Sequence, residues 1–457
     1  MLNRRRFLQS LAAAAASTHV AKAGAADRQA LFGPLLPDPM RILDLPAGFK
    51  YHIVSTAGDV MDDGLLVPGS ADGMAAFAGV DGNIVLICNH ENAPSESNLG
   101  PWGADLDYLQ LAASQGVYDA GRNSTPGNGG TTTVVYNPRE GRVIRRHLSL
   151  AGTELNCAGG PTPWGSWLSC EECFQDPGTS FEGGRVVRRD RRHGYVFEVP
   201  ASASGLVKPV PLTQMGRFEH EAAAVSPASG VVYLTEDRHR SLFYRFIPEV
   251  PGHLAAGGRL QALAVTKRLG FDTRNWSPRE RLPLRRALQV TWIDLDDVDG
   301  DQNDLRLRGW DKGAAIFARG EGLCRSGDSF VFNCTIGGPD RLGQVFQYTP
   351  SRHEGTTAEK THPGSLQLLA ESTPKSLLRN ADNITASPWG DLIICEDTAD
   401  HCGLVGIRPD GSQYALADNA YSNSELAGVC FSPDGAVMFV NIQYRGTTLA
   451  INGPWPA

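Results

Sequence analysis

One pattern recurs six times along this chain of 457 residues, and it limits the fold more than any other feature. Each copy opens on a polar or acidic residue, runs through small residues into a turn containing Gly or Pro, and closes on a β-branched run with a polar end. The clearest copies are EHEAAAVSPASGVVYLTED from Glu219 to Asp237, DNITASPWGDLIICED from Asp382 to Asp397, and NCAGGPTPWGSWLSCEE from Asn156 to Glu172. Looser copies span Asp72 to Glu91, Glu321 to Thr335 and Glu425 to Asn441. Two short strands around such a turn form a β-hairpin. Six of them predict an all-β fold, a six-bladed β-propeller with inserted loops, as one domain over residues 26–457. The 51 Gly and 29 Pro suit a turn-rich protein and exclude a coiled coil or helical bundle.

In a propeller the innermost strands converge on a central channel, so residues at equivalent strand starts form a ring. Those positions hold Asp72, Asn156 with Cys157, Glu221, Glu321, Asp382 with Asn383, and Glu425. Downstream strand ends add Glu91, Glu171, Glu172, Glu236 and Glu396. So many carboxylates around one axis repel one another unless cations neutralise them. Carboxylate and amide oxygens suit a hard ion such as calcium, while the single thiolate of Cys157 points to a softer or redox-active metal such as iron.

Residues 1–25 read as an export signal: Arg4-Arg5-Arg6-Phe7-Leu8, an Ala/Leu stretch, then the small-residue exits Ala21-Lys22-Ala23 and Ala23-Gly24-Ala25. The paired Arg followed by x-Phe-Leu is the twin-arginine form, which predicts passage through the twin-arginine export machinery to the periplasm or the medium. Cleavage removes four cations (Arg4, Arg5, Arg6 and Lys22) and deepens a net charge of −8 by four units. An anionic substrate then needs local help from metals or arginines. The acidic excess argues against a nucleic-acid partner. No apolar run reaches the roughly 20 residues that span a bilayer, so stable membrane insertion is not expected. A single propeller of this size is expected to work as a monomer. Nine cysteines cannot all pair within one chain, which predicts a free thiol or a thiolate ligand.

The segments NHE at 89–91, GGTTT at 129–133, NCAGGPTPWGSWLSCEE at 156–172, GRFEHE at 216–221, FARGEG at 317–322, DN and CED within 382–397, and GPWP at 453–456 occur in this order. Together they resemble the bacterial PhoX-type alkaline phosphatases. The resemblance implies a six-bladed propeller whose channel holds a mixed cluster of Fe3+ and Ca2+, and hydrolysis of a small phosphorylated substrate outside the cytoplasm. It implies Cys157 as thiolate ligand to iron, Glu221 and Glu321 as metal ligands, and either Glu171 or Glu172 in the place after the Trp-rich strand. Glu91, Asp382, Glu396 and Glu425 complete the expected metal set, and Arg319 matches the arginine that grips substrate phosphate. The chain departs from the pattern at Leu378-Arg379-Asn380-Ala381, where an Arg-Pro pair is expected before the acidic residue, and at Cys173.

This set predicts metal-assisted attack on phosphorus, with Arg319 as a planar donor fork for phosphate oxygens. No Gly-x-Ser-x-Gly elbow supplies a serine nucleophile. Other features read as structural. Strand alternation turns His90 and His220 away from their neighbouring glutamates, and Trp164, Trp167 and Trp389 read as sheet packing. Cys170 and Cys173 read as a core thiol and a loop thiol. Asp294–Asp301 lacks the end ligands of an EF-hand and reads as a solvated connector, and the basic run Arg185–Arg192 reads as a solvated hairpin. Two rival functions fit the architecture: a calcium-dependent lactonase or phosphotriesterase, and a non-catalytic binding propeller stabilised by calcium. Neither requires Cys157 and Arg319 together.

Overall fold

The computed structural model describes residues 31–113 and 116–456; the expected export signal, residues 1–25, lies outside them. The chain is nearly all-β, with only short helices such as Leu109–Ala113 and Leu305–Asp311. All six repeats form antiparallel hairpins. Their first strands are Ala71–Ala78, Asn156–Pro161, His220–Val225, Gly320–Ser326, Ala381–Ala386 and Leu426–Phe431. Each of these packs beside the next, and the last packs beside the first, so the six close into a ring. Small residues in the repeats make this possible. A Cβ on Gly322 would lie 2.6 Å from the Asp382 carbonyl, and one on Gly428 (φ +63°) would lie 2.2 Å from the Asp72 carbonyl.

Outside the ring the sheets extend by further antiparallel strands. The early strand Lys50–Thr56 pairs with Thr447–Asn452, so a strand from near one end of the chain completes the last sheet of the other. Leu43–Pro46 likewise adds to Gln413–Asn419. This exchange covers edges that would otherwise offer unpaired backbone groups. Two neighbouring sheets are not separate. Leu288–Asp294 pairs with Gly258–Val265 on one side and Ser365–Glu371 on the other, making one continuous nine-stranded sheet.

The cores lie between adjacent sheets. One is built on Tyr233, Phe243, Phe332, Phe346 and Tyr348, all fully buried. The closing Gly-Pro-Trp-Pro segment brings Trp455 onto Trp389, stacked at 5.4 Å and 15°. Trp167 is buried as expected, but Trp164 is 37% exposed and donates to Glu198, so it lies on the surface. The basic run does form a hairpin, Gly178–Glu182 with Arg185–Arg189, yet Arg189 is buried, held by Glu154 and Glu182. The acidic connector is solvated, with Asp296 paired to exposed Lys312. Among the described residues no helix is long and apolar enough to cross a membrane.

Candidate metal centre

Every hairpin carries a register shift at the start of its first strand, two residues standing opposite one on the second strand. Such bulges bend a strand and re-aim its side chains. The first bulged residues are Asp72, Cys157, Glu221, Glu321, Asp382 and, in the last copy, Gly428. Five of the six thus present a metal-binding side chain at one level of the ring. Polar residues on the second strands clamp the bulge of the next copy. Asn89 donates to the Cys157 and Ala158 carbonyls at 3.1 and 2.7 Å, and Thr235 donates to Glu321 at 2.7 Å. Asn333 holds the Asp382 carbonyl and Asn441 the Asp72 carbonyl.

The side chains converge as three overlapping groups whose ligand atoms lie within 4.8 Å of one another. The groups are Asp72, Glu91 and Cys157; Cys157, Glu172 and Glu221; and Glu221, Glu321 and Asp382. Cys157 and Glu221 are shared, so the three form one continuous strip. Glu425 hydrogen-bonds Asp382 at its edge. Burial, then the charges of Glu321 and Glu172, push Glu221 well above the carboxylate range. Glu172, Glu321 and Glu425 are raised in the same direction, each first by burial. Glu91 rises to about 7 through burial and the charges of Asp382 and Glu96, and Asp382 to about 6 through burial. Burial and the charge of Asp72 push the Cys157 thiol up strongly.

Both oxygens of fully buried Glu221, and one oxygen of Asp72, have no hydrogen-bond donor. A buried carboxylate without donors is costly unless it is protonated or faces a cation. The donor set, many carboxylate oxygens with one sulfur, therefore fits hard cations together with one thiophilic metal.

The strand-end acids divide by register. Ladder pairing runs to His90, Glu171, Glu236 and Glu396, and the residues one step beyond are Glu91, Glu172, Asp237 and Asp397. Of the latter, Glu91 and Glu172 enter the strip and Asp237 meets Arg319 beside it, while the ladder-paired residues turn away. Glu171, one of the two alternatives after the Trp-rich strand, is not in the strip. Its Oε1 accepts from His193 at 2.6 Å and from the Glu154 amide, and its Oε2 from the Gly194 and Tyr195 amides. Of the two, Glu172 is the one whose carboxylate lies in the strip. Glu396 is also turned away, accepting the Arg379 amide at 2.8 Å, and Glu236 accepts the Tyr244 hydroxyl. His90 bonds Gly69 and Thr132, and His220 bonds Gly216, so both histidines support the strands as expected. All nine cysteines are free.

Arg319 lies at the open side of the strip with its side chain about one-third exposed. Its backbone is left-handed (φ +54°), pinned by the carbonyl of Arg238 and the amide of Thr335. Asp237 accepts from Nε and Nη2 at 2.7 Å each, and Glu321 lies 3.0 Å from Nη2. The Nη1 edge has no hydrogen-bond partner among the described residues and is available to an anion. Asp237 was not expected as a site residue. The available signal was its place one step beyond Glu236, matching Glu91 and Glu172 in their own copies.

The family model described as alkaline phosphatase PhoX matches residues 30–446. Among solved structures, the chain is similar to Pseudomonas fluorescens PhoX in complex with vanadate, a transition state analogue. That likeness covers 92% of this chain and 97% of the other at 18% identity and a TM-score of 0.66. A gluconolactonase from Xanthomonas campestris aligns over 92% of this chain and 98% of its own at 12% identity, with a TM-score of 0.38. No curated protein sequence matches. Since one family model spans nearly the whole described chain, this protein belongs to the alkaline phosphatase PhoX family, whose members are metal-dependent phosphatases.

Proposed function

We propose that the chain is an extracytoplasmic phosphate-monoester hydrolase that works as a monomeric six-bladed propeller with iron and calcium in its channel. The observation that carries this reading is the buried strip of Asp72, Glu91, Cys157, Glu172, Glu221, Glu321 and Asp382 with Arg319 at its open side. Cys157 is the residue suited to hold iron, and the carboxylates to hold calcium. When bound, the cations supply Lewis acidity to phosphoryl oxygens and acidify a water toward neutrality. The PhoX of Pseudomonas fluorescens binds vanadate, a transition state analogue, which is consistent with an oxyanion of this size being the reacting group here.

The chain's own residues do the positioning. Asp237 fixes one edge of the Arg319 guanidinium, leaving the Nη1 edge to take phosphate oxygens in a set orientation. Glu321, 3.0 Å from Arg319, couples the arginine to the strip. The bulges and the clamps from Asn89, Thr235, Asn333 and Asn441 set the ligand residues before any substrate arrives. The twin-arginine signal at residues 1–25 supports export of the folded, metal-loaded chain.

The test is hydrolysis of p-nitrophenyl phosphate at alkaline pH by the mature protein, with calcium, after chelation, and in Cys157→Ala, alongside the visible spectrum. Activity that needs calcium and collapses in the variant is the expected result. A coloured, metal-loaded protein with no phosphatase activity would overturn the proposal and favour another ester or a lactone.

A further inference from the structure

The basic run Arg185–Arg192 is split by the structure into neutralised and unneutralised arginines. Alternation along Arg185–Arg189 buries Val187 and Arg189 and turns Val186 and Arg188 outward. Arg189 is paired with Glu154 and Glu182, Arg192 with Asp301, and Arg122 nearby with Asp190. Arg185 and Arg188 have no carboxylate partner among the described residues. Arg185 reaches the Ser97 hydroxyl, and Arg188 only the Ser124 hydroxyl, at 3.4 Å.

These two arginines line a groove of about 460 Å³. Hydroxyls of Ser97, Ser124 and Thr125 share its lining, Pro94, Leu106 and Val186 give it an apolar side, and Asp105 is its one carboxylate. The groove is tied to the metal centre through the backbone. The Glu172 amide donates to Leu155, the Leu155 amide to Asn92, and the Asn92 side chain to Asn128, at 2.8, 3.1 and 3.3 Å. Asn128 in turn donates to Ala93 and Pro94 on the loop that leaves Glu91. The groove wall and two residues of the strip, Glu91 and Glu172, therefore share one hydrogen-bonded framework.

In a chain with net charge −8, two unpaired guanidinia beside hydroxyls and an apolar wall form a local cationic site. Guanidinium forks match phosphate and carboxylate oxygens. We propose that this groove is a second anion subsite, which takes the distal anionic group of an organic phosphomonoester while the ester phosphate lies at Arg319. This rests on the phosphatase reading. The substrate class it favours is a small organic molecule carrying two anionic groups, such as a sugar bisphosphate.

The experiment compares p-nitrophenyl phosphate with a hexose bisphosphate on the metal-loaded protein. It uses wild type, the double variant Arg185→Ala with Arg188→Ala, its Lys counterpart, and Arg191→Ala as an exposed control outside the groove. The expected result is a fall of about tenfold in kcat/KM for the bisphosphate, carried by KM, partly restored by Lys and weakened by salt. Turnover of p-nitrophenyl phosphate should stay within about twofold. Equal losses on both substrates, no loss on either, or the same loss in Arg191→Ala would overturn the subsite. If wild type hydrolyses neither substrate while fully metal-loaded, the phosphatase reading itself fails and the subsite falls with it.

Discussion

Asp237 grips Arg319 along one edge, accepting from Nε and Nη2 at 2.7 Å each, so the guanidinium is oriented before it meets any anion. The two residues are 82 positions apart and come from adjacent repeats. Replacing Asp237 with Asn keeps the shape but removes the charge and one acceptor. A lost charge-assisted bond of ~1.5–3 kcal/mol corresponds to a loss of roughly 10–150-fold in kcat/KM. Steady-state kinetics and metal analysis check this: Arg319→Ala should slow turnover at least as much while both variants retain their metals. Full activity in either would remove the positioning role.

Cys157 is the one thiol in the strip, and its place at a bulge is shared by carboxylates in four other copies. Cys157→Ala should lose visible absorption and iron content together, with activity falling by more than ~100-fold. Cys173→Ala, buried but outside the strip, should lose neither. Elemental analysis and absorbance separate the two outcomes.

The ring closes where Asn441 donates to the carbonyl of Asp72, with Gly428 packed against the same carbonyl. Asn441→Ala leaves a buried acceptor unpaired, a cost of ~1–3 kcal/mol. Gly428→Ala adds a left-handed non-glycine residue and a Cβ 2.2 Å from an oxygen, so it should cost at least ~2 kcal/mol. Denaturant unfolding measures both, and calcium titration should show weakened binding in each. Wild-type stability in Gly428→Ala would mean that the close approach is not required.

Burial alone would push His193 down, yet the charges of Glu154 and Glu171 and hydrogen bonds to Asp119 and Glu171 outweigh it and hold the imidazolium to about 10. The folded value lies above the ordinary 6.5, so the stabilisation is complete below pH 6.5 and is lost as pH rises toward 10. His193→Gln, which breaks a buried ion pair, should cost ~3–5 kcal/mol near pH 6 and less near pH 10. Urea unfolding of metal-loaded protein across this window tests it. Parallel profiles for variant and wild type would show that His193 is not charged in the folded state.

Calcium removal should expose the repulsion among Asp72, Glu91, Glu172, Glu221, Glu321 and Asp382. Treatment with a calcium chelator should lower Tm by several degrees, at about 1 °C per kcal/mol for a chain of this length, and calcium should restore it. Sodium at equal ionic strength should not. An unchanged Tm on chelation would mean that the acids are neutralised by protons rather than by calcium.

Much of this was legible in the linear chain. The six hairpins follow from small-residue runs, Gly or Pro turns and β-branched strands, which are local properties. The positions of Asp72, Cys157, Glu221, Glu321 and Asp382 followed as well, because each begins a recognisable strand. Which of two adjacent acids faces the channel was not legible. Glu171 and Glu172 are equivalent in composition and differ only in the ladder register, and a shift of one residue reverses the direction of a side chain. The same register removes Glu236 and Glu396 from the strip and sets Asp237 against Arg319 at its open side. The burial of Arg189, the charge on His193 and the orientation of Arg319 depend on residues tens of positions away, which only the closed ring brings together. Local patterning thus determined the strands and their chemistry, while long-range packing decided which way each side chain points, because direction in a β-strand is set by its partner.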